Sequence, residues 1–253
     1  MSSIIVKRFE GYSGGEVLLM QDLTHVFIRK IGNISRNIER LNALRDVGIN
    51  MPHIITITDN YYDMEYIAHT NMVSWLLHNQ VGQFTSWIID CIENLKKNSV
   101  IKNWTKVYED KLAVSSLAPF WCNLNFTASE LISKLPIYLP TSHYHGDLTM
   151  DNCIYGANGK FYLIDPITTE YTSWVFDLAK LMQDLESGWF IRDKDVMLQG
   201  KLWSIKSSII NAYPEVNNPY LLILMLLRVL PYTKNDRDQQ FIIKEINRLY
   251  NSV

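Results

Sequence analysis

The sequence is short of the features that mark disulfide-stapled, nucleic-acid-binding and membrane-spanning chains. Its three cysteines, Cys91, Cys122 and Cys153, are odd in number and form no close pair. That spacing excludes a disulfide framework and a CxxC metal knuckle, and reduced thiols in a cytoplasmic protein are expected. Basic charge is not in excess: 24 Lys and Arg stand against 26 Asp and Glu, for a net charge of -2. A general grip on nucleic-acid phosphates, which needs a strong basic surplus, is therefore not suggested, although a net charge does not exclude a local basic patch. Long apolar runs are missing as well. The longest, Leu221 to Leu227, stops at Arg228, far short of a membrane span, and MSSIIVKRFEGYSGG is too briefly apolar for a secretory signal. What remains is a 253-residue chain with 47% hydrophobic residues, enough to bury a sizeable core in one large domain or two lobes.

The texture of the chain changes near residue 68. Before it, short period-2 stretches recur at Ile4 to Phe9, Val17 to Met20, Val26 to Ile31, His53 to Thr58 and Tyr61 to Ile67. Separated by Gly, Asn and Asp, they predict one antiparallel sheet. A single helix is expected from Ser35 to about Val47, with Ile38, Leu41, Leu44 and Val47 on one side and Gly48 placed to end it. From Met72 onward the periodicity is mostly helical. The segment HYHGDLTMDNCIYGANGKFYLIDP breaks it: Cys153 to Tyr155 and Phe161 to Ile164 flank Asn158-Gly159, a strong hairpin signal.

With Asn158 and Gly159 as a two-residue loop, Asn152 and Asp165 face each other across the ladder. Opposed β carbons lie about 5 Å apart, so an amide oxygen and a carboxylate there suit one hard divalent cation. Asp147 sits five residues before Asn152, in the loop entering the hairpin, where a carboxylate orients an acceptor hydroxyl. Singly, each is more often a loop-capping or strand-ending residue. Together they have the spacing of a Mg²⁺-nucleotide phosphotransfer site.

HGDLTMDN followed by YLIDP resembles the catalytic loop and metal-binding segment of the aminoglycoside phosphotransferase and choline kinase family. The resemblance implies a two-lobed protein-kinase-like α+β fold: a small antiparallel sheet lobe over 1–68 that binds the nucleotide, and a mainly helical lobe over 69–253 that holds the catalytic loop and the acceptor. It implies Asp147 as the catalytic aspartate, Asn152 and Asp165 as Mg²⁺ ligands, and ATP, with GTP as the alternative, as phosphoryl donor. The acceptor is a hydroxyl of a small metabolite, and DLAKLMQDLESGW looks most like members tied to sugar or surface-polysaccharide precursors. By position, Gly11 to Glu16 is the phosphate-covering loop, with Ser13, Gly14 and Gly15 as contacts, although a Gly-Gly turn alone is commoner.

The phosphate-contacting cation falls on Val26 to Ile31. Pleating sends Arg29 and Lys30 to opposite faces: Lys30 shares a face with Val26 and Ile28, whereas a VAIK-like alignment selects Arg29. Glu39 is the candidate partner of that cation, and Glu65 and Ile67 the backbone contacts to the base. His143, His145 and Cys153 make a weak zinc set without a fourth ligand. Asp177 is expected to brace the catalytic loop, and the stretch around Asp184, Glu186, Trp189 and Phe190 to set the acceptor. Arg228, inside an apolar helix, is either salt-bridged within the lobe or turned to an anionic substrate. A catalytically silent nucleotide-binding regulator is the alternative from another class. A protein kinase is disfavoured, because only about a dozen residues separate Asp165 from Asp177 and leave no activation segment.

Overall fold

A computed structural model describes residues 3–9, 15–32, 34–194 and 197–252. Five antiparallel strands form the first sheet: β1 (Ile4–Phe9), β2 (Glu16–Gln21), β3 (Val26–Ile31), β4 (Ile54–Ile57) and β5 (Tyr61–Glu65), in the order β1-β2-β3-β5-β4. Period-2 alternation gives β3 two different faces. Ile28, with Tyr62 and Met64 of β5, joins the main core, while Phe27 packs with Leu18 and Met20 in a small separate cluster. Helix α1 (Ile34–Asp46) buries Leu41 and Leu44 against that main core and is closed by Gly48 at φ +94°.

The chain then leaves the first sheet through β6 (His69–Asn71), which pairs with β9 (Cys153–Gly156) and so with β10 (Phe161–Leu163). The remaining elements are α2 (Met72–His78), α3 (Gly82–Leu95), β7 (Val100–Asn103), α4 (Thr105–Ser115), α5 (Ala128–Lys134), β8 (Tyr138–Thr141), α6 (Trp174–Leu185), α7 (Gln199–Ala212), α8 (Pro219–Val229) and α9 (Asp236–Asn251). The architecture is two-lobed α+β, a small antiparallel sheet with one helix followed by a mainly helical half. The long apolar run Leu221 to Leu227 is the buried stretch of α8, and no described helix is long and apolar enough to cross a membrane.

Helix α6 holds the segment from His145 to Met150, whose N–H groups donate to its Asp177 and Asp184. Its N-terminus is capped by Ser173, whose side chain accepts from the Val175 N–H, and every residue from Trp174 to Leu185 is buried. A helix buried all round has no solvent face for charge, so Asp177, Lys180 and Asp184 must find partners inside.

Three features differ from the sequence expectation. The hairpin register is shifted by one: Leu163 pairs with Cys153 and the Ile164 N–H donates to Asn152 O at 2.9 Å, so Asn152 lies opposite Ile164 and Asp165 falls one residue beyond. The cause is the turn. Gly156 N–H donates to Lys160 O at 2.8 Å, closing a three-residue loop in which only Gly159, at φ +78°, is left-handed. Such a loop uses Gly for a bulge, where a two-residue type I′ turn needs positive φ at both positions. Helix α4 was not apparent in the periodicity because it buries only Tyr108 and Leu112. The β7–β8 pair is short and exposed along β7, with no buried alternation to betray it.

Candidate active site

Asp147, Asn152 and Asp165 gather where the hairpin opens. Asn152 donates from Nδ2 to Asp147 O at 2.8 Å and to Asp147 Oδ2 at 3.1 Å. This fixes the amide so that its carbonyl oxygen is the atom left over. Asp165 adopts φ +57°, a left-handed conformation that Asp tolerates better than most residues, and its side chain is nearly half exposed. An amide oxygen and a carboxylate are the hard oxygen donors Mg²⁺ takes, and Mg²⁺ keeps its other positions for water and substrate phosphates. The two residues therefore fit that ion. A zinc site is not formed: no group of three or more His, Cys, Asp or Glu among the described residues is placed to hold a metal. His145 uses Nε2 to donate to Ile164 O at 2.9 Å and Nδ1 to accept from the Asp147 N–H at 3.3 Å. Its burial drops the imidazole pKa to about 4, so it stays neutral.

The two basic residues of β3 part company. Lys30 reaches across to Asp165 and forms an ion pair with it. Burial opposes the Lys30 charge, but Asp165 and Tyr62 outweigh that and hold its pKa above the ordinary range. Arg29 is turned to the other face, where it makes a two-pronged bond to Asp63 at 2.8 and 2.9 Å and lies 3.8 Å from the Tyr61 ring centroid. The pleat argument selects the residue that meets Asp165; the VAIK-like alignment selects one already neutralised elsewhere. Glu39 is exposed on α1 and is not the partner of Lys30; the neighbouring Arg40 is the α1 residue that reaches the catalytic segment.

Glu65 ends β5 and is tied to His53, donating from its N–H to His53 O at 2.8 Å. Ile67 is buried, its carbonyl accepts from His69 Nδ1 at 2.7 Å, and its N–H has no partner among the described residues. A cavity of about 370 Å³ lies beside this connection, lined by His69, Asn71, Asp151, Ile154, Ile164 and Lys194 among others. Gly15 precedes β2, whereas Ser13 and Gly14 lie outside the described residues.

The electrostatics of Asp147 come from α6 and α8. Burial alone raises its pKa, but Lys180 Nζ, 3.3 Å from Oδ1, with smaller help from Arg228, leaves it below the ordinary carboxylate value. Lys180 was passed over in the sequence, because a lysine in a helical pattern reads as solvent-facing and nothing marks α6 as buried all round. Asp177 accepts from the N–H groups of His145 at 2.5 Å and Gly146 at 2.7 Å, as a brace of the loop should. Asp184 does the same for Met150 N–H at 2.7 Å. Burial pushes both carboxyls up to about 7.

No protein-family model and no curated protein matches the chain. Solved structures do. A protein described as a fructosamine-3-kinase from Haemophilus somnus 129PT matches with a TM-score of 0.63 at 14% identity, over 98% of this chain and 91% of that one. An ethanolamine kinase from Plasmodium vivax gives 0.61 at 12% identity, over 98% and 82%. A thermostable variant of aminoglycoside phosphotransferase APH(4)-Ia, in ternary complex with AMP-PNP and hygromycin B, gives 0.65 at 11% identity, over 99% and 95%. The chain has the protein-kinase-like fold. In that fold the small sheet with α1 is one lobe, the helical half is the other, and the hairpin carrying Asn152 and Asp165 lies where they meet.

Proposed function

We propose that this chain is a phosphotransferase that moves the γ-phosphoryl group of ATP, or of GTP as alternative donor, to a hydroxyl of a small metabolite such as a sugar or surface-polysaccharide precursor. The observation that carries the reading is the convergence of five groups at the open end of one hairpin. Asp147 is held by Asn152 and Lys180, and Asp165 by Lys30. Phosphoryl transfer needs in-line positioning and compensation of phosphate charge more than covalent chemistry. Asp147, ionised at neutral pH, accepts the acceptor's hydroxyl proton as the new O–P bond forms and the β–γ bridging bond breaks. Asn152 and Asp165 are the residues that hold Mg²⁺, which neutralises charge on the β and γ oxygens when bound. Lys30 is the nearest cation for the donor phosphates, and the free Ile67 N–H is a contact for the base. The silent-regulator alternative leaves the arrangement around Asp147 unexplained, since a binding module has no use for a buried lysine holding a largely buried carboxylate ionised.

Thermal shift with ATP and GTP, each with and without Mg²⁺, tests the donor half without knowledge of the acceptor, because a ligand of the native state raises its melting temperature by mass action. Stabilisation that needs Mg²⁺ and disappears in Asp165→Ala is expected. Asp147→Asn should keep that stabilisation and lose turnover by about 10²–10⁴-fold. Unchanged nucleotide consumption in Asp147→Asn would remove the role given to this carboxylate.

A further inference from the structure

The charges on the helical side of the catalytic loop are distributed unevenly. Three cations from three separate places meet the loop along 146–151. Arg228 of α8 donates from Nη2 to Gly146 O at 3.2 Å, Lys180 of α6 stands 3.3 Å from Asp147 Oδ1, and Lys194 stands 3.8 Å from Asp151 Oδ1. Arg228 has no carboxylate within ion-pair distance among the described residues; its other side-chain bond is to Met225 Sδ at 3.2 Å. The salt bridge within the lobe that would have explained this half-buried arginine is absent from the described residues. Lys180 is buried and spends one of its three N–H groups on Asp147. A buried ammonium or guanidinium short of acceptors is costly unless something supplies them.

The carboxylates on the same side are committed. Asp177 and Asp184 serve backbone N–H groups of the loop. Glu186 is held by Lys206 and Arg248, Asp238 by Arg192, and Glu170 by Lys111. The remaining acids near the loop are paired as well: Asp147 and Asp151 each face a lysine, Asp165 pairs with Lys30, and Asp193 lies against Arg192 and Arg237, so an amine-bearing acceptor meets no unpaired carboxylate among these. Like charges set against one another cost affinity and reject a partner.

We propose, on the phosphotransferase reading above, that the acceptor is an anion: a small hydroxyl compound bearing a phosphate or carboxylate group, received by Arg228, Lys180 and Lys194. Arg228 supplies the planar donor fork suited to either oxyanion. Lys194 lines the cavity beside Asp151, where its ammonium also donates to Phe190 O. The acceptor's anionic group and the donor's phosphates then share a set of cations that outnumbers the free carboxylates.

The test is a two-ligand thermal shift on the full chain, first with Mg²⁺–AMP-PNP and then with acceptor candidates added at saturating nucleotide. Three arms are compared: hexose phosphates and hexuronic acids, the parent neutral hexoses, and amino sugars with amino alcohols. An anionic compound is expected to raise the melting temperature further, by roughly 5–10 °C at a hundredfold excess over its Kd. The phosphate and carboxylate arms tell the two anions apart. Lys194→Gln, which alters a partly exposed side chain, and Arg228→Gln should each weaken that binding at least tenfold while leaving the shift from Mg²⁺–AMP-PNP in place. Stabilisation by the amine arm, by the neutral arm equally with the anionic one, or by no anionic compound overturns the proposal. Absence of any Mg²⁺–AMP-PNP shift in the wild type fails the phosphotransferase reading instead, so the two failures are told apart.

Discussion

At the scale of single residues, two buried groups beside the loop that carries Asp147 answer pH in opposite directions. His145 is kept neutral by burial, with its pKa down to about 4, whereas its unfolded value is near 6.5. Between those values the unfolded chain binds a proton that the folded chain refuses, so His145 withdraws stability as the pH falls below 6.5. Asp184 runs the other way. Its carboxyl is pushed up to about 7 by burial, against an ordinary 3.8, so the folded state holds a proton that the unfolded state has lost. The stability this contributes is present in full below 3.8 and declines as the pH rises to 7. Asp184→Asn keeps an oxygen for the Met150 N–H and removes the ionisation. The variant should gain on the wild type as the pH is raised from 5 to 8, by about 2 kcal/mol at most given the extent of the shift. Urea unfolding at the two values checks it: a difference that stays constant with pH means Asp184 does not change its protonation on folding.

At the scale of elements, the segment that carries Asp147 is a loop whose path is fixed from both sides. Gly146 has φ +87°, and a Cβ there would stand 2.4 Å from Ile167 O and 3.1 Å from Ile167 Cγ1. Ile167 cannot retreat freely, since its N–H donates to His145 O at 3.0 Å. Gly146→Ala therefore forces the backbone to move at the residue before Asp147. A loss of at least about 2 kcal/mol in unfolding free energy is expected, since it combines a disfavoured φ with a backbone clash. Chemical denaturation measures it, and a loss under about 0.5 kcal/mol would mean the loop has slack here. Such a glycine is legible in HGD only as a resemblance. The hairpin itself was legible, because Asn158-Gly159 between apolar runs has few other meanings, but its register was not, because both loop types use that dipeptide. On β3 the pleat put Lys30 and Arg29 on opposite faces, while a VAIK-like alignment pointed to Arg29; the contact of Lys30 with Asp165 comes from packing between the two halves. On α6 periodicity failed, since Lys180 lies among residues buried on every side and its direction depends on where the catalytic loop passes. Local patterns give the elements; which buried charge meets which loop is decided by packing between segments far apart in sequence.

At the scale of the whole molecule, the sheet lobe and the helical lobe share one apolar core, and two polar side chains of the sheet lobe reach the segments that carry Asp147 and Asp165. Lys30 of β3 pairs with Asp165. Arg40 of α1 lays its guanidinium 3.7 Å from the centroid of the Tyr144 ring and donates from Nη1 to Tyr144 O at 3.3 Å. Tyr144 is buried and directly precedes His145, Gly146 and Asp147, so α1 is joined to the loop that carries Asp147. Energetically the link is modest. A cation over an aromatic face contributes about 0.5–2 kcal/mol, and the buried Arg40 Nε has no hydrogen-bond partner among the described residues, which offsets part of it. Arg40→Met retains the apolar stem and removes both terms, so the net change in stability should stay within about 1 kcal/mol, or 2–4 °C in melting temperature for a chain of this size. Its effect on turnover should be larger than its effect on folding. With Lys30 and Asp165 untouched, the Mg²⁺-nucleotide shift should persist, while kcat falls about tenfold because the loop carrying Asp147 is no longer held against α1. Melting curves with and without Mg²⁺–ATP, read beside kcat for the same variant, separate these effects: a lost nucleotide shift would place Arg40 in donor binding, and an unchanged kcat would show that the sheet lobe governs the catalytic loop through Lys30 alone.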